Sequence, residues 1–348
     1  MVRNWITRLA LLTSSSLACA APPTSTVEIY GRLDLSVNTL HYSNHGNATY
    51  LSSDSSLWGL RGSEDLGSGQ RAYFKLESWF DASTGSQVVP SQVFSREVYV
   101  GWGSDSAGSI QLGSQYAGGF WLSVRADPFL RSNTGPFLSL LQRSPTNTRG
   151  FSGAVNNSVQ YVSPKVHGLS ARMLFAPSES SAGNFSSASV EYADRNLWAG
   201  LAYETGKVAA ATVGATGEAL AFSNTSAGFT YNMNVLKLHG YVLSNRIKSA
   251  PHVWGAMLGA TIPMGTGDFR VAYTKQRTND VANSSASLAS VGYFYPLSKR
   301  TTLYTSIARL NNHGQHRFNI YPASMDAGLA PTAAAGVSAM QFGMRHTF

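Results

Sequence analysis

The chain has 348 residues, and 26 Lys and Arg against 18 Asp and Glu give it a net charge of +8. Charged residues make up only 13% of it, about half of the roughly 25% that is usual in a soluble globular protein. Low charge together with 11% aromatic residues argues against a disordered chain. The lack of any run of about 18 apolar residues argues against a bundle of membrane helices.

The first twenty residues have the pattern of a secretory signal peptide. Arg3 and Arg8 make the start basic, a short apolar stretch follows, and residues 18–20 (ACA) form a small-residue cleavage site. We therefore predict a signal peptide at residues 1–20 and a single domain at residues 21–348.

Cys19 is the only cysteine of the chain. A lipid anchor on this residue is the less favoured alternative, because Ser16 stands where a lipoprotein signal has Leu. Without Cys19 the mature domain has no cysteine and therefore no disulfide, which is typical of a bacterial envelope protein rather than of a eukaryotic secreted one.

From residue 27 to the C-terminus, apolar and polar residues alternate with period two, as in β-strands that have one apolar and one polar face. In the first such segment Ile29 and Leu33 fall on one face, whereas Arg32 and Asp34 fall on the other. The best candidate for a helix is a short one around residues 136–142, inside a long loop. About sixteen segments are predicted as strands, at residues 27–40, 53–63, 70–81, 93–103, 108–116, 155–163, 168–177, 186–194, 196–204, 220–231, 234–246, 252–263, 267–277, 286–297, 301–311 and 338–348.

The connections between these segments alternate in length. Short turns, such as residues 64–69, 103–108 and 297–301, alternate with longer loops, of which the longest well-defined one covers residues 117–154. An even number of strands with short turns at one end and long loops at the other is the layout of an outer-membrane barrel, whose turns are periplasmic and whose loops are extracellular.

A soluble β-sandwich or β-helix would show the same alternation, so three further features decide the class. The predicted strands are longer than the about five or six residues usual in sandwiches. Aromatic residues such as Trp58 and Tyr295 lie near strand ends, and Arg32, Lys75 and Arg172 lie in mid-strand. A charge that faced lipid would cost about 2–4 kcal/mol at the midplane, so these polar faces must line water. The sequence predicts an all-β fold, a 16-stranded antiparallel transmembrane β-barrel.

The last strand carries a separate signal. It ends at Phe348, with Met344 and Phe342 at alternate positions before it. This ending looks like the C-terminal motif by which outer-membrane barrels are recognised for insertion, so Phe348 is predicted to be part of an insertion signal.

Five segments, taken in order, resemble the trimeric general diffusion porins of Gram-negative bacteria, of the betaproteobacterial type. Two positions depart from the family pattern, because Ser114 stands where the family commonly has Arg, and residues 127–129 (DPF) replace the acidic tetrapeptide of the enteric porins. The resemblance covers nearly all of the mature chain and implies a third loop that folds inward and narrows the pore. The five segments are residues 27–34 (VEIYGRLD), 58–67 (WGLRGSEDLG), 157–164 (NSVQYVSP), 297–301 (LSKRT) and 343–348 (GMRHTF).

The resemblance implies a water-filled channel for the passive diffusion of small hydrophilic solutes and ions. It places the protein in the Gram-negative outer membrane, in contact with lipid and lipopolysaccharide, as a homotrimer in which the second loop (residues 81–92) reaches a neighbouring subunit. No nucleic-acid partner is expected, because the basic residues are dispersed. No cofactor, metal site or enzymatic activity is predicted, because no catalytic motif occurs and His41 and His45 lie in a loop without clustered carboxylates.

The predicted pore lining is mainly basic. Linings of Arg and Lys favour anions, and a narrow channel with low-dielectric walls strengthens that field, so we predict a modest anion preference. The predicted lining residues are Arg32, Arg61, Arg71, Lys75 and Arg172 on the wall and Arg125, Asp127 and Arg149 at the constriction, with Arg131 and Arg143 also in the third loop and Lys237, Arg270 and Arg345 as further wall candidates.

Two other functions remain open from the sequence. One is a substrate-specific channel for sugars or phosphate, which would show saturable block by one class of solute. The other is a barrel that does not conduct and acts as an adhesin or an enzyme, which would need a passenger domain or a Ser–His pair on the outer face of the barrel.

Overall fold

The structure is a computed structural model that describes residues 25–44, 46–141, 153–177, 183–210, 216–321 and 330–348. Within these ranges the chain forms a sheet of 17 strands and two short helices. The strands are β1 (Ser25–Tyr42), β2 (Asn47–Ser53), β3 (Leu57–Gly67), β4 (Gln70–Trp79), β5 (Val98–Ser104), β6 (Gly108–Gln115), β7 (Val155–Val162), β8 (Leu169–Ala176), β9 (Phe185–Ala193), β10 (Leu197–Val208), β11 (Leu220–Asn232), β12 (Lys237–Ile247), β13 (Val253–Met264), β14 (Gly267–Thr278), β15 (Ser285–Pro296), β16 (Thr301–His313) and β17 (Val337–Thr347), and the helices are α1 (Gly118–Ala126) and α2 (Leu138–Leu141).

The sheet closes on itself. Strands that follow one another pair antiparallel, and β1 also pairs with β17, so that Asn38 lies opposite Gln341. Both β2 and β3 pair with β1 and together form one wall strand, which reduces the 17 strand segments to a closed barrel of 16. The predicted 16-stranded antiparallel barrel is confirmed.

Most predicted strand limits lie within a few residues of those in the structure. The largest differences are at β5, which begins at Val98 instead of residue 93, and at the second wall strand, which begins at Asn47 instead of residue 53. The late start of β5 has a local cause: Arg96 N–H bonds to the Glu77 carbonyl, outside the regular ladder. The predicted signal peptide lies outside the described residues.

The outer surface of the barrel is apolar and the interior is polar, the reverse of a soluble protein. On β1, Val27 and Ile29 are 73% and 67% exposed, whereas Asp34 and Asn38 are fully buried. Such an exposed apolar face is stable in lipid and would be unstable in water. In the described part of the chain, no helix is long and apolar enough to cross a membrane.

A β-bulge interrupts the second wall strand and changes which residues face inward. Ser53 pairs with Leu35 and Leu57 pairs with Arg32, so the three residues 54–56 lie opposite two residues of β1. Because of the one extra residue, even-numbered residues face the lumen before the bulge and odd-numbered residues face it directly after the bulge. The bulge also turns Asp54 and Ser56 toward the interior.

The barrel seam is completed by the last residue. Phe348 and Gly31 exchange two backbone hydrogen bonds of 3.1 Å, and the Phe348 ring covers Gly31. A Cβ at position 31 would lie 2.3 Å from that ring, so the close approach requires glycine.

The third loop (residues 117–154, of which 117–141 and 153–154 are described) folds into the barrel. Helix α1 packs across β9–β12, and α2 packs on β14 and β15. The short helix predicted around residues 136–142 is confirmed as α2, whereas α1 was not predicted.

The described parts of the loop between β16 and β17 (residues 314–321 and 330–336) also turn inward. Phe318 and Ile320 are buried in the same apolar cluster as Phe137 and Leu141 of the third loop. The protein's main apolar core therefore lies inside the barrel, on one side of the lumen.

Candidate functional site

The third loop divides the lumen into two unlike halves. We call the strands that it packs on, β9–β17, the covered wall, and we call β3–β8 the open wall. On the covered wall the third loop lies close to the sheet, because a Cβ at Gly228 would be 3.0 Å from Ala126 and a Cβ at Gly259 would be 2.9 Å from Pro128. The passage that remains is bounded by the open wall and by the exposed side of the third loop.

A cluster of four alternating charges lies on the open wall. Lys75 Nζ is 2.6 Å from Glu97 and 3.3 Å from Glu77. Glu77 also forms an ion pair with Arg96 through its other carboxylate oxygen. Tyr30 donates a hydrogen bond of 2.8 Å to Glu77. Both carboxylates are almost completely buried, whereas the two cations keep about a fifth of their side chains exposed to the lumen (19% and 21%).

A second group joins the tip of the third loop to the seam of the barrel. Arg345 binds Asp34 at 2.8 Å and donates a 2.7 Å hydrogen bond to Ser132 of the loop. Asn133 donates to Asp54 in the β-bulge at 3.4 Å. The bulge therefore supplies a carboxylate that anchors the loop, as is common for bulges near functional sites.

Next to Asp34, Arg32 donates to the Ser55 carbonyl at 2.9 Å. Arg32 interacts electrostatically with Arg345 and Arg96, so three guanidinium groups contribute positive charge on this side of the passage.

A third group lies where α1 faces the passage. Arg125 is 55% exposed and forms an ion pair with Glu191, which also accepts a 2.9 Å hydrogen bond from the Trp198 indole. Arg172 lies within electrostatic range of Arg125 and donates to Gln160 at 3.3 Å. Both cations therefore interact with the one buried carboxylate of Glu191.

Two predicted lining residues lie apart from this constriction, near the ends of strands that the short turns join. Arg61 pairs with Glu28 at 2.8 Å, and Arg71 pairs with Asp105 at 3.4 Å. All four side chains are more than half exposed. These pairs lie at the periplasmic mouth of the barrel.

Asp127 is fully buried inside the third loop. Its carboxylate accepts backbone hydrogen bonds from Phe129 at 2.9 Å and Arg131 at 3.2 Å, and these bonds shape the turn after α1. Burial raises the pKa of Asp127 to about 7 in spite of these bonds, so at neutral pH this group carries less than a full negative charge.

The exposure of acidic and basic side chains differs systematically across the interior. The buried polar residues in the described ranges include seven acidic residues but neither Arg nor Lys. Among these interior charges, water in the lumen therefore contacts mainly the cationic groups. The buried acidic residues are Asp34, Asp54, Glu77, Glu97, Asp127, Glu191 and Glu204.

The structure brings together part of the predicted set. Lys75 belongs to the four-charge cluster and Arg32 interacts with its Arg96, Arg125 and Arg172 both interact with Glu191, and the predicted Arg143 and Arg149 lie outside the described residues. Glu97 was not predicted as a lining residue, although it lies within the predicted strand 93–103 and shares the inward phase of Gly101 and Gly103. Arg96 was not predicted either, because regular alternation through that strand places it on the lipid-facing side, whereas the regular strand of the structure begins only at Val98.

A closed barrel with an apolar outer surface and a charged lumen narrowed by an inward loop defines a channel protein of the outer membrane. The chain matches the sequence model of the Gram-negative porin family over residues 7–315. It therefore belongs to this family, and the protein is an outer-membrane porin.

Relatives of known type support the same assignment. The chain is 28% identical to outer membrane porin protein 32 of Delftia acidovorans, with 98% of each chain covered. Its fold is similar to the anion-selective porin from Comamonas acidovorans, with a TM-score of 0.83 and 25% identity over 93% of this chain and 100% of that one. The fold of OmpT from Vibrio cholerae is also similar, with a TM-score of 0.67 and 14% identity over 93% of this chain and 98% of that one.

Proposed function

We propose that this porin carries small hydrophilic solutes by passive diffusion with a modest preference for anions. The observation that carries the preference is the unequal exposure of the two signs of charge, because seven carboxyl groups are buried while the cationic groups keep exposed surface. The similar porin from Comamonas acidovorans is anion-selective, which points in the same direction.

Arg32, Lys75, Arg125 and Arg172 are the groups to which we assign the lining of the narrowest part. A low-dielectric wall focuses the field of these charges into the passage and raises the local concentration of anions. Arg61 and Arg71 would act earlier or later on the path, at the periplasmic mouth. Transport of this kind needs no energy source and no conformational cycle.

The test is the reversal potential of the refolded protein in a planar bilayer across a KCl gradient. We expect chloride to be favoured, and we expect the double variant Arg125→Gln/Arg172→Gln to lower the chloride-to-potassium permeability ratio roughly three-fold. That factor corresponds to about 0.7 kcal/mol, the interaction of unit charges about 6 Å apart in water.

Arg71→Gln is the matched control, because it removes the same type of charge at the mouth and should change the ratio little. A cation preference of the unmodified channel would contradict the proposal. Saturable block by one sugar or by phosphate would instead favour the substrate-specific channel, and the absence of conductance would favour an adhesin.

We further propose that the protein is a homotrimer surrounded by lipid and lipopolysaccharide, as the family resemblance implies. The support from the chain is the apolar outer surface and a second loop that is held in a fixed shape, with Asp81 N–H bonded to the Ser86 carbonyl at 2.8 Å. Electrophoresis in mild detergent tests this assembly, since a trimer gives a heat-sensitive band at three times the monomer mass.

A further inference from the structure

Helix α1 narrows the passage but has no side-chain cap of its own. Its N-cap residue is Ala117, whose side chain offers no acceptor, and no side-chain hydrogen bond caps the first turn. The first N–H groups and the last C=O groups of a helix need partners from outside the helix. For a helix inside a barrel, those partners must come from the wall.

Glu204 of β10 lies at the N-terminal end of α1. A Cβ at Gly119 would be 2.8 Å and 3.1 Å from the two carboxylate oxygens of Glu204, so the carboxylate touches the backbone of the first helical turn. Glu204 is only 1% exposed, and among the described residues neither oxygen makes a hydrogen bond of regular geometry. The donors beside it are the Asn224 amide, the Gly119 N–H and the Ser187 hydroxyl, of which the Gly119 N–H belongs to the helix.

The position of Glu204 in the wall explains why it turns to the helix. Its cross-strand neighbours are Ser187 on β9 and Asn224 on β11, which are polar but uncharged. No described cation lies within ion-pair distance of the Glu204 carboxylate, and Arg131 acts on it only at longer range. A buried carboxylate without a directly paired cation is costly, and the positive end of a helix lowers that cost.

His239 of β12 lies at the other end of α1. Its Nδ1 is 3.1 Å from the carbonyl oxygen of Ala126, the last residue of the helix, and its Nε2 is 3.1 Å from the Thr261 hydroxyl. A carbonyl can only accept, so Nδ1 carries the proton, and Nε2 then accepts from the hydroxyl. His239 therefore donates to the C-terminal end of the helix.

We propose that the barrel wall caps α1 at both ends, with Glu204 as acceptor for the first turn and His239 as donor to the last. An acidic group at the N-terminus and a donor at the C-terminus match the helix dipole. Both are positioning residues: they touch the helix and fix its place, and through it they fix Arg125 in the passage. The glycine pair at residues 118–119 allows the approach, since a Cβ at either position would collide with the wall.

Amide hydrogen exchange of the refolded barrel tests the proposal without requiring conduction. We expect Glu204→Ala to speed exchange in the first turn of α1 about five-fold, which corresponds to about 1 kcal/mol for one lost cap. Glu204→Gln, which keeps an acceptor oxygen and loses the charge, should have a smaller effect. In bilayers, the Glu204→Ala channel should show more open-channel current noise.

Rescue by a local cap separates capping from a general loss of packing. Ala117 has φ −74° and ψ 171°, the extended backbone that an N-cap residue adopts. Ala117→Ser in the Glu204→Ala protein should restore slow exchange and low noise. The same substitution should not rescue His239→Ala, which speeds exchange at the last turn instead.

Glu191→Ala is the matched control, since it removes a buried carboxylate that contacts α1 through Arg125 without capping it. Ala117→Ser should leave its phenotype unchanged. The proposal is overturned if Glu204→Ala exchanges its first-turn amides at the wild-type rate. It is also overturned if adding Ala117→Ser to Glu204→Ala does not restore slow exchange. If Glu204→Ala does not fold, as judged by the absence of a heat-modifiable band, Glu204→Gln takes its place. Amide exchange in the first turn of α1 is then compared between Glu204→Gln and the double variant Glu204→Gln/Ala117→Ser. The two proposals are tested separately. The reversal potential tests the anion preference, and its outcome does not change the amide exchange result, which tests the capping of α1.

Discussion

The two halves of the lumen use the same alternating strands for opposite purposes. The covered wall presents glycines and buried apolar residues to most of the third loop, so backbone and side chains pack as in a soluble core, and its charged residues Glu191, Glu204 and Arg345 contact the loop directly. The open wall presents Lys75, Arg172 and tyrosines to water. The inward-facing residues of the barrel wall therefore form two surfaces. Those beneath the third loop pack against it, and those that the loop leaves uncovered face the water of the passage.

This difference has an energetic consequence. Substitutions on the covered wall should act on the stability and position of the third loop, with selectivity changing only as a result. Substitutions of exposed charges on the open wall should act on ion preference with little effect on stability, because exposed charges contribute little to folding. Substitutions within the four-charge cluster should lower stability as well, because its carboxylates are nearly buried. The following experiments test that division, from the largest expected effect to the smallest.

Phe129→Ala should have the largest effect. Phe129 is fully buried between the third loop and the covered wall, with its ring 6.1 Å from the ring of Phe294. Loss of a buried Phe costs about 3–5 kcal/mol, so the loop should detach and the conductance should rise. Single-channel recording together with thermal unfolding measures both effects. An unchanged conductance would show that the loop is held elsewhere.

Gly228→Val should have a smaller effect of the same kind. Its Cβ would meet Ala126 at 3.0 Å, and overpacking of this sort costs about 1–3 kcal/mol. Gly103→Val is the control on the open wall, where the nearest atoms at 3.3 Å belong to the flexible side chain of Arg71. Equal losses of thermal stability in the two variants would contradict the division of the lumen into two walls.

Arg96→Gln should alter selectivity and also lower stability, because it leaves the nearly buried Glu77 with one cation instead of two. It removes one of two cations that shield Glu77, so a carboxylate gains access to the passage and the chloride preference should fall. Lys75→Gln should do the same, since it shields the same group. The reversal potential checks both variants, and a stronger chloride preference in either would reject the shielding role.

Asp105→Asn should have the smallest effect. Its ion pair with Arg71 is 3.4 Å long and exposed at the periplasmic mouth, where such pairs contribute about 0–1 kcal/mol. Thermal unfolding and conductance should both stay close to those of the unmodified protein. A large loss of thermal stability would show that the Arg71–Asp105 ion pair contributes more than an exposed pair usually does.

Much of the wall could be predicted from the sequence because its rule is local. Alternation with period two fixes which side of a strand faces lipid, and it fails only where an extra residue enters the ladder, as at residues 54–56. The inward positions of Arg32, Lys75 and Arg172 follow from that rule. The bulge itself leaves no mark in the alternation strong enough to place it.

The interior of the barrel could not be predicted in the same way, because its determinants lie far apart in the sequence. The segment of α1 (GGFWLSVRA) begins with two glycines, which are poor helix formers. Its partners at the two ends are far away in the sequence, because Glu204 lies 85 residues after Gly119 and His239 lies 113 residues after Ala126. Arg96 lies in irregular backbone, where strand phase does not apply.

The pairing of β1 with β17 also bears on how the barrel closes. The two strands are paired from Arg32 to Tyr42 of β1, and the Phe348–Gly31 hydrogen bonds extend this ladder by one residue. A molecule without the β17 segment would keep unpaired strand edges at β1 and β16, and such edges favour pairing with other chains. Closure therefore joins the two wall strands that are farthest apart in the sequence, and it removes the last edge at which one molecule could aggregate with another.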